Sequence, residues 1–144
     1  MKIYLDNCCY NRPYDDQSQI LVRLESEAKL QIQQLVFEGQ LDLIWSFILQ
    51  HENDANPFIK RKKRIATWEH IAKYSVIFSD EIQRMADDIA LLNIKPKDAW
   101  HVACAISENA DYLITTDKKL LNKPVKGIEI VNPIVFLERY YDEK

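Results

Sequence analysis

The sequence predicts an α/β fold of three layers, αβα, around a central, mainly parallel sheet of four to five strands. Short apolar runs of strand length alternate with longer stretches whose apolar residues recur at helical spacing. The short runs are continuous rather than alternating, as in strands covered on both faces. Strands separated by helices also require crossover connections, and these make parallel neighbours. At 144 residues the chain has the length of one domain, taken here as 1–144.

Each element follows from a local pattern. Ile3, Tyr4 and Leu5 form the first strand, too short for a helix. Between Ser18 and Phe37 the residues Ile20, Leu21, Leu24, Ala28, Ile32, Leu35 and Val36 recur every three or four positions, and Gly39 supplies a stop. That stripe predicts one long amphipathic helix, packed by its apolar face. The run 41–46 reads as a second strand feeding a helix over 47–54, which Asn56-Pro57 ends. A polar helix follows from Phe58 to about Lys73, then a short edge strand over 75–78. Ser79 caps a helix carrying Ile82, Met85, Ala86, Ile89 and Leu92. Pro96 opens the next helix, with Ala99, Val102, Ala103 and Ile106 inward. The run 111–117 is a strand ending on a carboxylate, 128–133 another, and a last helix spans Ile134 to about Tyr141.

Composition excludes several classes. The net charge of −3 argues against a protein coating nucleic acid with its whole surface, although Lys60, Arg61, Lys62, Lys63 and Arg64 place five cations in a row. No apolar run reaches the roughly 20 residues of a membrane span, and the N-terminus lacks a secretory pattern. The expectation is a soluble, cytoplasmic protein with no membrane partner. Three cysteines, Cys8 and Cys9 adjacent, lack zinc-site spacing and fit small reduced side chains.

In sheets of this kind ligands bind beyond the carboxyl ends of the strands, where strand order reverses. Asp6 ends the first strand and Asp117 ends the run 111–117, so two carboxylates reach one edge. Asp98, in the first turn of its helix, emerges on the same side, favoured there by the helix dipole. Glu52, on the second turn of its short helix, leans over the same crevice. Asp6 and Asp117 also stand where a residue caps the following helix, and spacing alone leaves both roles open. Clustered carboxylates repel one another unless a cation joins them. Oxygen donors without cysteine or histidine spacing favour Mg²⁺ or Mn²⁺.

The segments "IYLDNCCYNRP", "KDAWHVACA", "ADYLITTDKKLL" and "IEIVNPIVFL", in this order, resemble the PIN domain, the fold of metal-dependent ribonucleases that includes the VapC-type toxins of toxin–antitoxin pairs. The resemblance spans essentially the whole chain and is strongest from Pro96 to Leu137. It implies that Asp6, Asp98 and Asp117 hold the metal, that Glu52 joins this metal set by completing the acidic pocket or by orienting water, and that Thr115 supports metal-bound water. The implied reaction is hydrolysis of an RNA phosphodiester, with a small antitoxin protein and a homodimer as partners. One departure stands out: the family usually has Thr or Ser and then Asn or Ser after its first aspartate, whereas Asn7 and Cys8 follow here.

Two other readings use the same residues. A PIN-fold module with weak or no catalysis would hold RNA or protein in the crevice. A phosphoryl-accepting aspartate at a strand end would suit Asp6 or Asp117, but no DxD follows the first strand. Arg12 and the run from Lys60 to Arg64 are the candidate contacts to an RNA backbone, a contact type that weakens with salt. His101 and Trp100 read as wall and packing residues. The long helix 18–37 offers a surface for dimerisation or an inhibitor, its apolar stripe accounted for by core packing.

Overall fold

A computed structural model describes residues 1–143. The described residues form β1 (Lys2–Leu5), α1 (Asn7–Asn11), α2 (Ile20–Phe37), β2 (Asp42–Ser46), α3 (Phe47–Asp54), α4 (Ile59–Ile71) and β3 (Tyr74–Val76). There follow α5 (Asp80–Ala90), α6 (Pro96–Ser107), β4 (Tyr112–Ile114), α7 (Lys118–Leu121), β5 (Glu129–Val131) and α8 (Pro133–Asp142). A 3-10 turn, Arg12–Tyr14, joins α1 to the segment before α2.

All five strands are parallel, in the order β3-β2-β1-β4-β5. β1 is central, with Tyr4 beside Ile44 on one side and Leu113 on the other. Strand order reverses between β1 and β4, so their carboxyl ends flank the crevice expected in such a sheet. The ladder continues past the strands: Asp6 N–H donates to Ile114 O (3.0 Å) and Thr115 N–H to Val131 O (2.9 Å). Both polar residues are thereby fixed to the sheet.

Helices cover both faces. On one, Tyr10 of α1 meets Trp45 of β2 edge to face and Phe136 of α8 meets Tyr112 of β4, with α2 packed along α8. On the other, α5 and α6 pack together, and His101 of α6 meets Tyr4 of β1. Ile3, Tyr4, Leu5, Leu113 and Ile114 are wholly buried, as strands between two helical layers must be. Each such aliphatic side chain contributes about 1.5–3 kcal/mol of burial. Among the described residues no helix is long and apolar enough to cross a membrane.

The structure differs from the sequence reading in three places. α1 and its 3-10 continuation occupy what reads as a loop around Arg12; Asp6 caps α1 by accepting from Asn7 N–H. The stripe on α2 is only half used. Ile20, Leu21 and Leu24 are exposed, while Glu25, Lys29 and Gln33 are buried among the later turns, so core packing does not account for the whole stripe. Third, β4 stops at Ile114, three residues before Asp117, which caps α7 through Lys119 N–H.

Candidate active site

The crevice is lined by Asp6, Asn7, Cys8, Asn11, Asp15, Glu52, Asp98 and Asp117. The four predicted carboxylates therefore share one opening, of about 410 Å³, at the switch point of the sheet. They reach it from four elements: the end of β1, the second turn of α3, the first turn of α6 and the cap of α7.

Asp6 is buried and held on both oxygens. Its Oδ1 accepts from Asn7 N–H (2.7 Å), and its Oδ2 accepts from the Thr115 hydroxyl (2.9 Å) and the Cys8 thiol (3.5 Å). Thr115 Oγ1 also accepts from Asp117 N–H (3.1 Å), so one hydroxyl ties Asp6 at the end of β1 to Asp117 at the start of α7. Cys8 Sγ lies 3.2 Å from that hydroxyl and accepts from Thr116 N–H (3.3 Å). The residue that departs from the PIN pattern thus packs its sulfur between Asp6 and the β4–α7 turn. Asn7 donates through Nδ2 to Glu52 Oε2 (3.4 Å).

Glu52 is the member of its helix that reaches the crevice. Its neighbours are otherwise placed: Asn53 is buried and donates to Lys62 O, while His51 and Asp54 are exposed. Ser46 accepts from Leu49 N–H at the start of α3 and so fixes the register of that helix.

His101 is the residue that sequence reasoning assigned to the wall without a role. It is buried in the wall, and it is also electrostatically central. Its Nε2 is hydrogen-bonded to Glu52 Oε1 and stands 3.5 Å from Asp6 Oδ1. Its Nδ1 is 2.6 Å from Tyr4 Oη, which is 2.6 Å from Ser46 Oγ. With the ring charged, Nδ1–H donates to Tyr4 and Tyr4 donates to Ser46, a continuous chain from the crevice to the cap of α3. Burial alone would favour the neutral ring; Asp6 and Glu52 outweigh it and raise the pKa above its ordinary value. For Glu52, burial pushes the carboxyl up, and His101, Lys97 and Asn7 together bring it below its ordinary value. The three-residue offset from Asp98 was the available signal for His101, since it places both on one helix face.

Asp98 is different in kind. It is half-buried, makes no hydrogen bond among the described residues, and is pushed up to about 6 by burial and then by Asp6 and Asp117, against the partial relief of His101 and Lys95. As the side chains stand, no group of three or more His, Cys, Asp or Glu among the described residues is placed to hold a metal ion. The donor set nevertheless fits one in chemistry. Asp98 is an unpartnered carboxylate raised by two like charges, the situation a divalent cation relieves.

The cationic candidates lie elsewhere. Arg12 is engaged by Asp15 (3.1 Å) and the buried Glu25 (3.3 Å), tying α2 to the 3-10 turn. Lys60, Arg61, Lys62, Lys63 and Arg64 occupy the first turns of α4, outside the crevice lining. Arg61 stacks on Phe58 (4.2 Å) and Tyr14 (4.6 Å). Trp100 packs with Phe47 and Phe78.

Compared with solved structures, the chain resembles VapBC2 from Rickettsia felis, solved bound to a DNA fragment from their promoter, with a TM-score of 0.57 and 16% identity. It resembles FitAcB from Neisseria gonorrhoeae with a TM-score of 0.58 and 14% identity. Each match covers 92% of this chain and 98% of the other. The fold is PIN-like. No protein-family model and no curated protein matches the sequence. At these identities the likeness establishes the PIN-like fold, and the chemistry has to be argued from the crevice.

Proposed function

We propose that the chain is a Mg²⁺- or Mn²⁺-dependent endoribonuclease that works as the toxin of a toxin–antitoxin pair. The observation that carries the reading is the meeting of Asp6, Asp98 and Asp117, with Glu52 beside them, in one crevice at the switch point of a PIN-like sheet. Asp6, Asp98 and Asp117 would hold the ion, which supplies an activated water for attack on phosphorus and charge to stabilise the leaving oxygen. The remaining work belongs to the chain. Thr115 orients Asp6 and the Asp117 turn, with Cys8 on the same Asp6 oxygen, and Asn7 N–H fixes the other oxygen. His101 holds Glu52 and lowers the repulsion within the acidic cluster. The likeness to VapBC2 and FitAcB supports a small protein partner, an antitoxin, for this chain as well.

A binding module without hydrolysis is favoured by one observation: His101 supplies an internal cation to Glu52 and Asp6, meeting part of the charge that a metal would otherwise balance. The two readings separate in one assay. Single-stranded RNA incubated with Mn²⁺ is cleaved by the wild type and left intact by folded Asp98→Asn. Equal cleavage by both proteins would refute the assignment; RNA binding without cleavage in either would favour the module.

A further inference from the structure

Beside α1 lies a second cavity, about 230 Å³, between α2, α4 and the 3-10 turn. Asn7 and Asn11 of α1 line the crevice, whereas Tyr10 lines this cavity. Lys29 is its notable residue. It is 5% exposed, yet among the described residues no carboxylate pairs with it and its ammonium makes no hydrogen bond; the Tyr10 ring, 5.8 Å away, is a cation–π neighbour. Glu25, one turn earlier on α2, is taken by Arg12. A largely buried lysine without a partner is costly, and burial pulls its pKa down to about 8.

Two buried donors beside it also lack partners. Gln33, one turn beyond Lys29 and equally buried, carries an Nε2 with no partner, and Tyr10 a buried hydroxyl with none. Arg64 enters the lining from α4, and Tyr14 and Trp68 supply aromatic walls. Two cations, an amide N–H₂ and a hydroxyl around one small cavity, with no acid in the lining, describe a site for an oxyanion. Its volume is several times the roughly 30 Å³ share of a water molecule, enough for a tetrahedral anion.

We infer that this cavity is a phosphate-binding site in which Lys29 and Arg64 supply the charge and Gln33 and Tyr10 the neutral donors. The phosphate is either free in solution or carried by a nucleic-acid strand. The site stands on its own residues; only the strand source rests on the ribonuclease reading. Lys60, one turn before Arg64 on the same face of α4, extends the positive charge away from the cavity along that helix.

The test is a titration of the full chain with sodium phosphate in EDTA, where metal-dependent cleavage plays no part, against sodium chloride at matched ionic strength. Phosphate should raise the melting temperature saturably. Lys29→Met and Arg64→Gln should each raise the half-saturating concentration at least about tenfold, and Lys126→Gln, on an exposed turn, should titrate like the wild type. Arg64 is exposed, so its variant keeps the test decisive should Lys29→Met fold poorly. An oligoribonucleotide that competes with phosphate supports the site with a strand as source; phosphate binding without such competition supports it with the free ion as source. The inference is overturned if phosphate does no more than chloride, or if the folded variants titrate like the wild type. Loss of RNA cleavage by Asp98→Asn bears on the crevice alone, so failure of either idea is visible separately.

Discussion

Replacing Asp98 by asparagine should make the metal-free protein more stable while removing the response to metal. The folded-state pKa of Asp98 is about 6, against an ordinary 3.8. A difference of about two units would be worth nearly 3 kcal/mol for a fully buried group. Asp98 is half-buried and solvent screens it, which reduces the figure to about 1 kcal/mol. A raised carboxyl favours folding while protonated, so this stability is complete below about pH 4 and lost as pH rises through about 6. At pH 7.5 in EDTA, Asp98→Asn should therefore melt about 3 °C above the wild type, and at pH 4 the two should nearly coincide. Mn²⁺ at ten times its dissociation constant should then add about 1.4 kcal/mol to the wild type and little to the variant. Thermal melts at two pH values, with EDTA and with Mn²⁺, measure all four quantities. A variant less stable than the wild type at pH 7.5, or an equal Mn²⁺ shift in both, would refute the view that Asp98 is held under repulsion that a cation relieves.

Two more predictions concern the network behind the crevice. His101→Gln should cost about 3 kcal/mol by urea denaturation at pH 6, because Glu52 and Asp6 lose a buried partner. Since the His101 pKa is raised, its contribution is full below about 6.5 and falls as pH climbs through the raised value; the wild type should lose stability across that alkaline window and the variant much less. Thr115→Val removes the hydroxyl that donates to Asp6 and accepts from Asp117 N–H. It should lower stability by about 1–2 kcal/mol and weaken Mn²⁺ binding about 10–100-fold by calorimetry.

Much of this arrangement was legible in the sequence because it is local. α3 spans 47–54, as the strand run before it and Asn56-Pro57 after it bound it, and Ser79 caps α5 as its position before Asp80-Glu81 suggests. Strand-end carboxylates follow from chain order once the sheet is parallel. Other features depend on partners far apart in sequence. The alliance of His101 with Tyr4 spans 97 positions, and nothing near either residue announces it. Helical periodicity marks Ile20, Leu21 and Leu24 as core, yet α2 turns its polar Glu25, Lys29 and Gln33 inward, because Arg12 and the cavity beside α4 meet them there. α1 escaped notice because five residues give too short a period to read, and its cap is the same Asp6 that faces the crevice. For Asp6 and Asp117 the choice between cap and ligand was posed too sharply. Each caps a helix with one oxygen while its carboxylate lines the crevice.

The central claim is that these carboxylates gather a divalent ion. Its most direct test is a crystal of the full chain grown with Mn²⁺ and measured at a wavelength where manganese scatters anomalously. An anomalous peak should appear among Asp6, Asp98 and Asp117 and be lost in Asp98→Asn. A well-ordered crevice without that peak at saturating Mn²⁺, or a peak unchanged in the variant, would contradict it.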